Sequence, residues 1–542
     1  MNDQIKYLYE LENYISYEPT NKNKISSQQR LKLINDALEQ YFKFITVEYY
    51  PIESPNLKNF SIFSLGFTIL DAYLSVRKIK ENELRNIGFM SISIADDIIR
   101  VYSVPGPVGV FAGKQLSIRD DIIVKLEGKL VRPSPVFFLE ERTEIADNLA
   151  ILSFVDPEII THKPSLIAKA IEYLLTGNIS IYSSEDISTV CYKIVRVIHE
   201  CINSPFKTIS DMATMILRHL KKECPVTISM VSPKLGSFKH TSAMRKFESY
   251  EKLESVGEGV TGEVFKIKRK DAFYVVKYNN ESYIREIACL TLLRNSKYIV
   301  KLEGFLPSDT ESGMFMFFNI GEFDLATAVE HKKLVMNTQK DILRYFIDIV
   351  KGVNYCHKHD VIHGDLKPEN IVWFASNNLK LIDFSISIPL ASLSGAHQTE
   401  IGTFLYKAPE LFFGPFYNNK IDIWALGCIL YFMIVGYPLV SEPNGFFQEG
   451  SQSGVVHLFS IVGTPTEENW PGVTSLKRWH IYSRDYNDND LPIHKFDKNF
   501  FHKHIPWTES YVIIKKCLSL NPKTRPSAKY LINYINKFLL ET

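Results

Sequence analysis

Several things are missing from this chain of 542 residues, and each absence excludes something. It has almost no net charge: 62 Lys and Arg against 61 Asp and Glu leave +1, so no global field draws it to nucleic acid or to an anionic membrane. Partners must be sought at local sites. It has no paired cysteines. The seven, at 191, 201, 224, 289, 356, 428 and 517, are odd in number, scattered and without a C-x-x-C, which argues against a disulfide framework and for a reducing compartment. The amino terminus, MNDQIKYLYELENYI, mixes both signs of charge and has no apolar h-region, so no secretory signal is read and a cytoplasmic or nuclear location is expected. Long apolar runs are scarce: Ile421 to Val440 nearly has the length of a membrane span, but it carries Asp422 and reads better as a buried core helix. No internal repeat of fixed period is visible.

What is present is a globular composition, 45% hydrophobic and 23% charged, with length enough for three or four compact units. Residues 1–27 read as an extension. From 28 to 224 apolar residues recur at spacings of three and four, as in LKLINDALEQYFKFI and ELRNIGFMSISIADDI, which predicts an all-α region. Residues 225–246, with two prolines, a glycine and several serines but no sustained period, predict a linker. After Phe247 short alternating runs (EVFKIKRK, AFYVVKY, MFMFFNI) predict strands, and from Thr338 helices take over. The unit 247–542 therefore divides into a sheet-bearing lobe, 250–320, and a helical lobe, 321–540.

Chemistry concentrates in that second unit. Residues Gly257 to Val264, GEGVTGEV, fit G-x-G-x-x-G-x-V, whose glycines let backbone amides approach phosphates. Alone this could be any glycine-rich hairpin or a dinucleotide fingerprint. Thirteen residues after Gly262, however, a strand-like run contains Val275-Val276-Lys277, which disfavours the dinucleotide reading. Lys277 can hold phosphates, and Glu286 in the next helical pattern can pair with it. His363 to Asn370, HGDLKPEN, is followed 13 residues later by Asp383-Phe384-Ser385, and Ala408-Pro409-Glu410 ends a 28-residue segment from Asp383.

Together these motifs closely resemble the protein kinase family across residues 250–540. The resemblance implies a bilobal α+β fold and transfer of the γ-phosphate of Mg²⁺-bound ATP to protein substrates. Asp365 would be the catalytic base, supported by Lys367, Lys277 and Glu286; Asn370 and Asp383 would hold the metal. Nucleotide contacts would come from Gly257, Glu258, Gly259, Val260, Gly262, Val264 and Lys277. The hinge Phe318–Gly321 would add Phe318 as gatekeeper with Asn319 and Gly321, and Asp324 would complete the set. Lys367 resembles the lysine of serine/threonine kinases, so an aliphatic hydroxyl is the expected acceptor. Asp422 resembles the aspartate that anchors the catalytic loop, and Arg525 the arginine that pairs with Glu410.

Leu458 to Val473, LFSIVGTPTEENWPGV, and the run Tyr283-Ile284-Arg285-Glu286-Ile287 narrow the likeness to cyclin-dependent kinases. Phe67 to Ile98 then resembles the centre of a cyclin box, with Asp71, Leu74, Leu84, Gly88 and Ala95 at the family's pattern positions. His162 to Leu175 resembles the opening helix of a second cyclin subdomain, with Pro164-Ser165 as its amino-terminal cap. The implied arrangement is a cyclin-like all-α half that activates the kinase in cis on the Tyr283–Ile287 helix, in a monomer. A linker of about 20 residues gives an effective concentration near the millimolar range. The alternatives are an unrelated helical bundle, a pseudokinase or scaffold whose helical half binds a partner, and an active kinase whose helical half only recruits substrate. The likeness fails at Asp97, where cyclins have a lysine that donates hydrogen bonds; a carboxylate donates none.

Other departures concern control. The arginine expected before Asp365 is Gly364, another expected after Asp383 is Ile388, and of three phosphate-binding arginines only Arg285 remains. The phosphothreonine position falls on Gln398, beside Thr399, and the glycine-loop positions used as brakes fall on Val260 and Thr261. No activating phosphorylation is expected. Ser385 replaces the glycine of Asp-Phe-Gly and is expected to favour one state of the loop. Proline-directed specificity is left open, since Gly402 and Lys407 stand where a valine and an arginine are usual. The abundance of Asn, Ile, Lys and Tyr suggests an AT-rich genome, that of a protist or a large DNA virus.

Overall fold

The computed structural model describes residues 29–30, 32–34, 36, 57–77, 83–99, 114–128, 130, 143–154, 159, 162–176, 185–202, 210, 212–216, 251–259, 262–269, 272–279, 283–307, 314–376, 378–389, 401–414, 417–440, 452–482 and 492–541. The described residues fall into two units, one before and one after the division at 245/246. The expected extension 1–27 and linker 225–246 lie outside the described residues, as do Gln398 and Thr399.

In the first unit the described residues are helical: α1 (Leu57–Val76), α2 (Leu84–Ile99), α3 (Lys114–Lys125), α4 (Glu144–Leu152), α5 (Pro164–Thr176) and α6 (Glu185–Ile202). α1 buries Ile62, Phe63, Leu65, Phe67, Ile69 and Leu70 on all sides and packs against α2 and α4, as an all-round apolar helix must. Asp71, Leu74, Leu84 and Ala95 are buried, and Gly88 abuts the side chain of Leu33. Asp71 is ion-paired with Arg30 at 2.6 Å, so neither buried charge is stranded. Asp97 is paired with Arg119 of α3 at 2.8 Å. Pro164 opens α5, where its missing N–H costs nothing, and Ser165 falls inside the first turn.

The second unit starts with β1 (Glu251–Gly259), β2 (Gly262–Arg269) and β3 (Ala272–Asn279), then α7 (Tyr283–Leu292), β4 (Leu302–Pro307) and β5 (Met314–Asn319). The five strands form one sheet, β1-β2-β3-β5-β4. Its apolar face gathers Phe265, Ile267, Val276 and Phe317, the alternation that predicted these strands. The glycine-rich segment closes a β1–β2 hairpin with Gly259 opposite Gly262 and runs on into antiparallel β3, not into a helix as a dinucleotide fold requires.

The rest is mainly helical. After β6 (Phe323–Asp324) come α8 (Leu325–Glu330) and α9 (Gln339–Lys358). α9 starts with a capping box in which Thr338 and Asp341 each accept the other's backbone N–H. β7 (Ile371–Phe374) and β8 (Asn378–Leu381) join β6 in a second sheet, β6-β7-β8, which the sequence reading missed. Then follow α10 (Lys420–Val435), α11 (Gln452–Val462), α12 (Lys498–His504), α13 (Thr508–Cys517) and α14 (Ala528–Glu541). α10 holds the apolar run as far as Val435, where Gly436 ends the helix in a left-handed conformation, and buries Asp422, Trp424 and Tyr431 with it. Among the described residues no helix is long and apolar enough to cross a membrane. The six described cysteines are all buried and none of them is in a disulfide.

Candidate active site

Lys277, on β3, is the hub of the site. Its Nζ donates to Glu286 Oε1 on α7 at 3.0 Å and to Asp383 Oδ1, just past β8, at 2.7 Å. The β3 register sets Lys277 between Val264 and Met316, and α7 presents Glu286 from its fully buried face. Burial opposes a charge on Lys277, but the two carboxylates outweigh it and hold the ammonium above the ordinary lysine value. Burial pushes Glu286 up against the pull of Lys277. Asp383 is also desolvated, yet Lys277 draws it below the ordinary carboxylate value. The cluster sets one ammonium between two carboxylates.

Asp365 lies in the loop after α9. Asn370 Nδ2 donates to its backbone oxygen at 2.9 Å and to its Oδ2 at 3.1 Å. Thr403 donates to its Oδ1 twice, from the backbone N at 2.9 Å and from the hydroxyl at 2.7 Å. Lys367 Nζ lies 3.2 Å from Asp365 Oδ2 and 3.2 Å from Thr403 Oγ1. The carboxylate is thus held from three sides, an acceptor fixed in one orientation, as a base must be before it takes a proton. Sequence reasoning missed Thr403: it is 38 residues from Asp365, and no local pattern links them.

The loop itself hangs on Asp422. Its Oδ1 accepts from Gly364 N at 3.0 Å, and its Oδ2 accepts from His363 N at 3.0 Å and from His357 Nε2 at 2.8 Å. Burial works against its charge, but the bond from His357, the neighbouring His363 ring and the Gly364 amide leave it below the ordinary value. Gly364 sits at φ +81°, where a side chain at the usual arginine position would be strained. Ile388 is fully buried and exchanges backbone bonds with Ile362 at 2.9 and 3.0 Å, so the second missing arginine has become an apolar anchor. Glu410 and Arg525 form a buried bidentate pair at 2.6 and 2.8 Å.

A cleft of about 540 Å³ takes in Lys277, Glu286, Asn370 and Asp383. Val264, Val275 and Phe318 line it from the first sheet, Val372 and Ile382 from β7 and the stretch after β8, and Lys277, Asn370 and Asp383 form its polar end. Asn319 and Gly321 border it. Asp324 lines it too, but both carboxylate oxygens cap α8 through Thr327, at 2.8 and 2.9 Å. Gly257, Gly259 and Gly262 lie at the hairpin, where only the backbone is described; the side chain of Glu258 and the whole of Val260 fall outside the described residues. Of the residues expected from sequence, Val264, Lys277, Glu286, Phe318, Asn319, Gly321, Asp324, Asn370 and Asp383 line this cleft, while Asp365 lines a separate small pocket with Gly364 and Thr403 and is joined to the cleft wall through Asn370. Among the described residues no group of three or more His, Cys, Asp or Glu could cage a metal. Oxygen donors from Asp383 and Asn370 instead suit a hard cation that keeps other ligands of its own, as Mg²⁺ does.

The family model "Protein kinase domain" matches residues 250–535. Cyclin-dependent kinase B1-1 of Arabidopsis thaliana is 30% identical over 317 residues, covering 53% of this chain and 96% of that protein. Cell division control protein 2 homolog C of Antirrhinum majus is 28% identical over 310 residues, with the same coverages of 53% and 96%. A chain from the structure of the CAK complex of Chaetomium thermophilum bound to ATP-gamma-S superposes with a TM-score of 0.46 at 24% identity, covering 52% of this chain and 89% of that one. By the match of its second unit, the chain belongs to the protein kinase family, with cyclin-dependent kinases among its relatives.

Proposed function

We propose that this protein is a serine/threonine kinase that transfers the γ-phosphate of ATP to hydroxyls of protein substrates. The observation that carries the reading is Asp365, clamped by Thr403, Asn370 and Lys367 in the unit that also holds Lys277 between Glu286 and Asp383. Asp365 would accept the proton of the attacking hydroxyl while Lys367 balances charge beside it. Lys277, fixed by Glu286, would hold the nucleotide phosphates, and the apolar cleft walls would take adenine. Asn370 and Asp383 would hold Mg²⁺, which supplies charge neutralisation to the phosphates when bound. Catalysis would then be positioning and electrostatics.

The helical half supports a finer reading, activation in cis by a cyclin-like unit acting at Tyr283–Ile287. Its pattern positions Asp71, Leu74, Leu84 and Ala95 are buried in an all-helical unit. The engagement of Asp97 by Arg119 gives that carboxylate a role within its own unit, so docking would use other groups. The relatives align over 96% of their own length, so residues 240–542 should fold alone. That fragment is expected to lose most activity and to regain it when residues 28–224 are added; undiminished activity of the fragment would refute cis activation. A scaffold without phosphotransfer is the rival, motivated by Gly364, Ser385 and Asp97. Phosphate transfer by wild type and by Asp365→Asn separates the two, since equal background in both would sink the enzyme.

A further inference from the structure

The hinge residues that border the cleft, Asn319 to Gly321, have little side-chain chemistry to offer a ligand. Ile320 is apolar and Gly321 has no side chain. Asn319 commits its amide elsewhere: its Nδ2 donates to Glu303 Oε1 on β4 at 2.8 Å, and because a carboxylate only accepts, the orientation of the amide is fixed. A purine lying against this stretch is therefore read by main-chain N–H and C=O groups, which discriminate only if their positions are set beforehand.

The structure sets them from both ends. Asn319, the last residue of β5, stands opposite Tyr274 of β3 and is held on its other side by Glu303 of β4. Beyond it, Glu322 N donates to Trp373 O of β7 at 2.9 Å, and Gly321 lies so close to β7 that a Cβ there would come 2.2 Å from Val372 Cγ1. Only Ile320 and Gly321 span the interval. Glu303 owes its aim to an irregularity of the sheet. Leu302 stands opposite Phe318 and Gly304 opposite Phe317, so Glu303 is the extra residue of a β-bulge, the device that re-aims a side chain beside a site. Its side chain is only 10% exposed, and its second oxygen accepts from Lys301 Nζ at 3.2 Å.

We propose that Glu303 is a positioning residue for purine choice: by holding the Asn319 side chain it fixes the main chain of 319–321 so that a C=O meets the 6-amino group of adenine and repels the 6-oxo group of guanine. This rests on the reading of the cleft as the nucleotide site. Cutting the tie corresponds to about a fivefold loss of affinity for an adenine nucleotide, the worth of one hydrogen bond.

The test is calorimetric titration of the full chain with Mg·ADP and with Mg·GDP for wild type, Glu303→Ala, Glu303→Gln, Asn319→Ala and the double alanine variant. Wild type should bind ADP more tightly than GDP. Each single alanine variant should lower that preference about fivefold, with the loss on the ADP side, and the double variant should lose no more than either single one. Glu303→Gln, whose amide oxygen still accepts from Asn319, should stay near wild type. Equal weakening of both nucleotides, the mark of a merely structural role, would overturn the proposal, and so would an unchanged preference in both alanine variants or a wild type without preference. If Glu303→Ala disturbs the pairing of β4, Asn319→Ala cuts the same tie at an exposed position. Wild type that binds neither nucleotide would refute the cleft as the nucleotide site, and the proposal with it.

Discussion

Replacing Asp422 by asparagine tests how the catalytic loop is held. The buried carboxylate accepts three hydrogen bonds, from Gly364 N, His363 N and His357 Nε2. An amide has one oxygen. In its better orientation the oxygen keeps His363 and His357, and the NH₂ faces Gly364 N–H, donor against donor. One charge-assisted bond is lost, at about 1.5–3 kcal/mol, and a buried N–H is left unsatisfied at about 1–3 kcal/mol more. The sum, about 2.5–6 kcal/mol, is a large share of the roughly 5–15 kcal/mol that holds a domain together. At about 2–4 °C per kcal/mol the second unit should melt roughly 5–25 °C lower, and kcat should fall because Asp365 follows directly on Gly364. Calorimetric melting and steady-state kinetics measure both. Asp422→Ala strands three donors and should be worse than Asn. A melting temperature within about 1 °C of wild type with unchanged kcat would refute the reasoning. The pH dependence has a definite sign. The folded-state pKa lies below the ordinary 3.8, so the stabilisation is present above about pH 4 and is lost as pH falls through the folded value; Asp422→Asn should lose this part of the acid sensitivity.

Other outcomes follow from the same structure. Arg525→Leu strands the buried Glu410, paired bidentately at 2.6 and 2.8 Å, and should cost about 3–5 kcal/mol of stability in denaturant unfolding. Gly321→Ala would put a Cβ 2.2 Å from Val372 Cγ1, displacing the hinge from the cleft floor, and should raise the ATP dissociation constant several-fold with little change in melting. Phosphatase treatment and Thr399→Ala should each leave activity within about twofold, since Gly364 and the buried Ile388 offer an added phosphate no cation; a large loss on phosphatase treatment would contradict the apolar anchoring of the segment.

The chemistry was legible where one short segment carries it. GEGVTGEV and HGDLKPEN keep the groups that must act together within eight residues, and a hairpin or a loop brings them to one place. Lys277, Glu286 and Asp383 are far apart in sequence, yet each carries its own marker: a strand-ending lysine, a helical glutamate and an Asp-Phe pair. Thr403 has no such marker, because its role depends only on where the 38-residue excursion returns to Asp365. The second sheet escaped because its strands span two to four residues, too short for alternation to register. Asp97 read as a lost donor, because nothing near it in sequence pointed to Arg119, 22 residues on.

The central claim is best tested by incubating the full chain with radiolabelled ATP, Mg²⁺ and an array of serine-, threonine- and tyrosine-containing peptides, beside Asp365→Asn. The account predicts label on serine and threonine peptides with wild type only, and none on tyrosine. Equal background labelling by both proteins would contradict it.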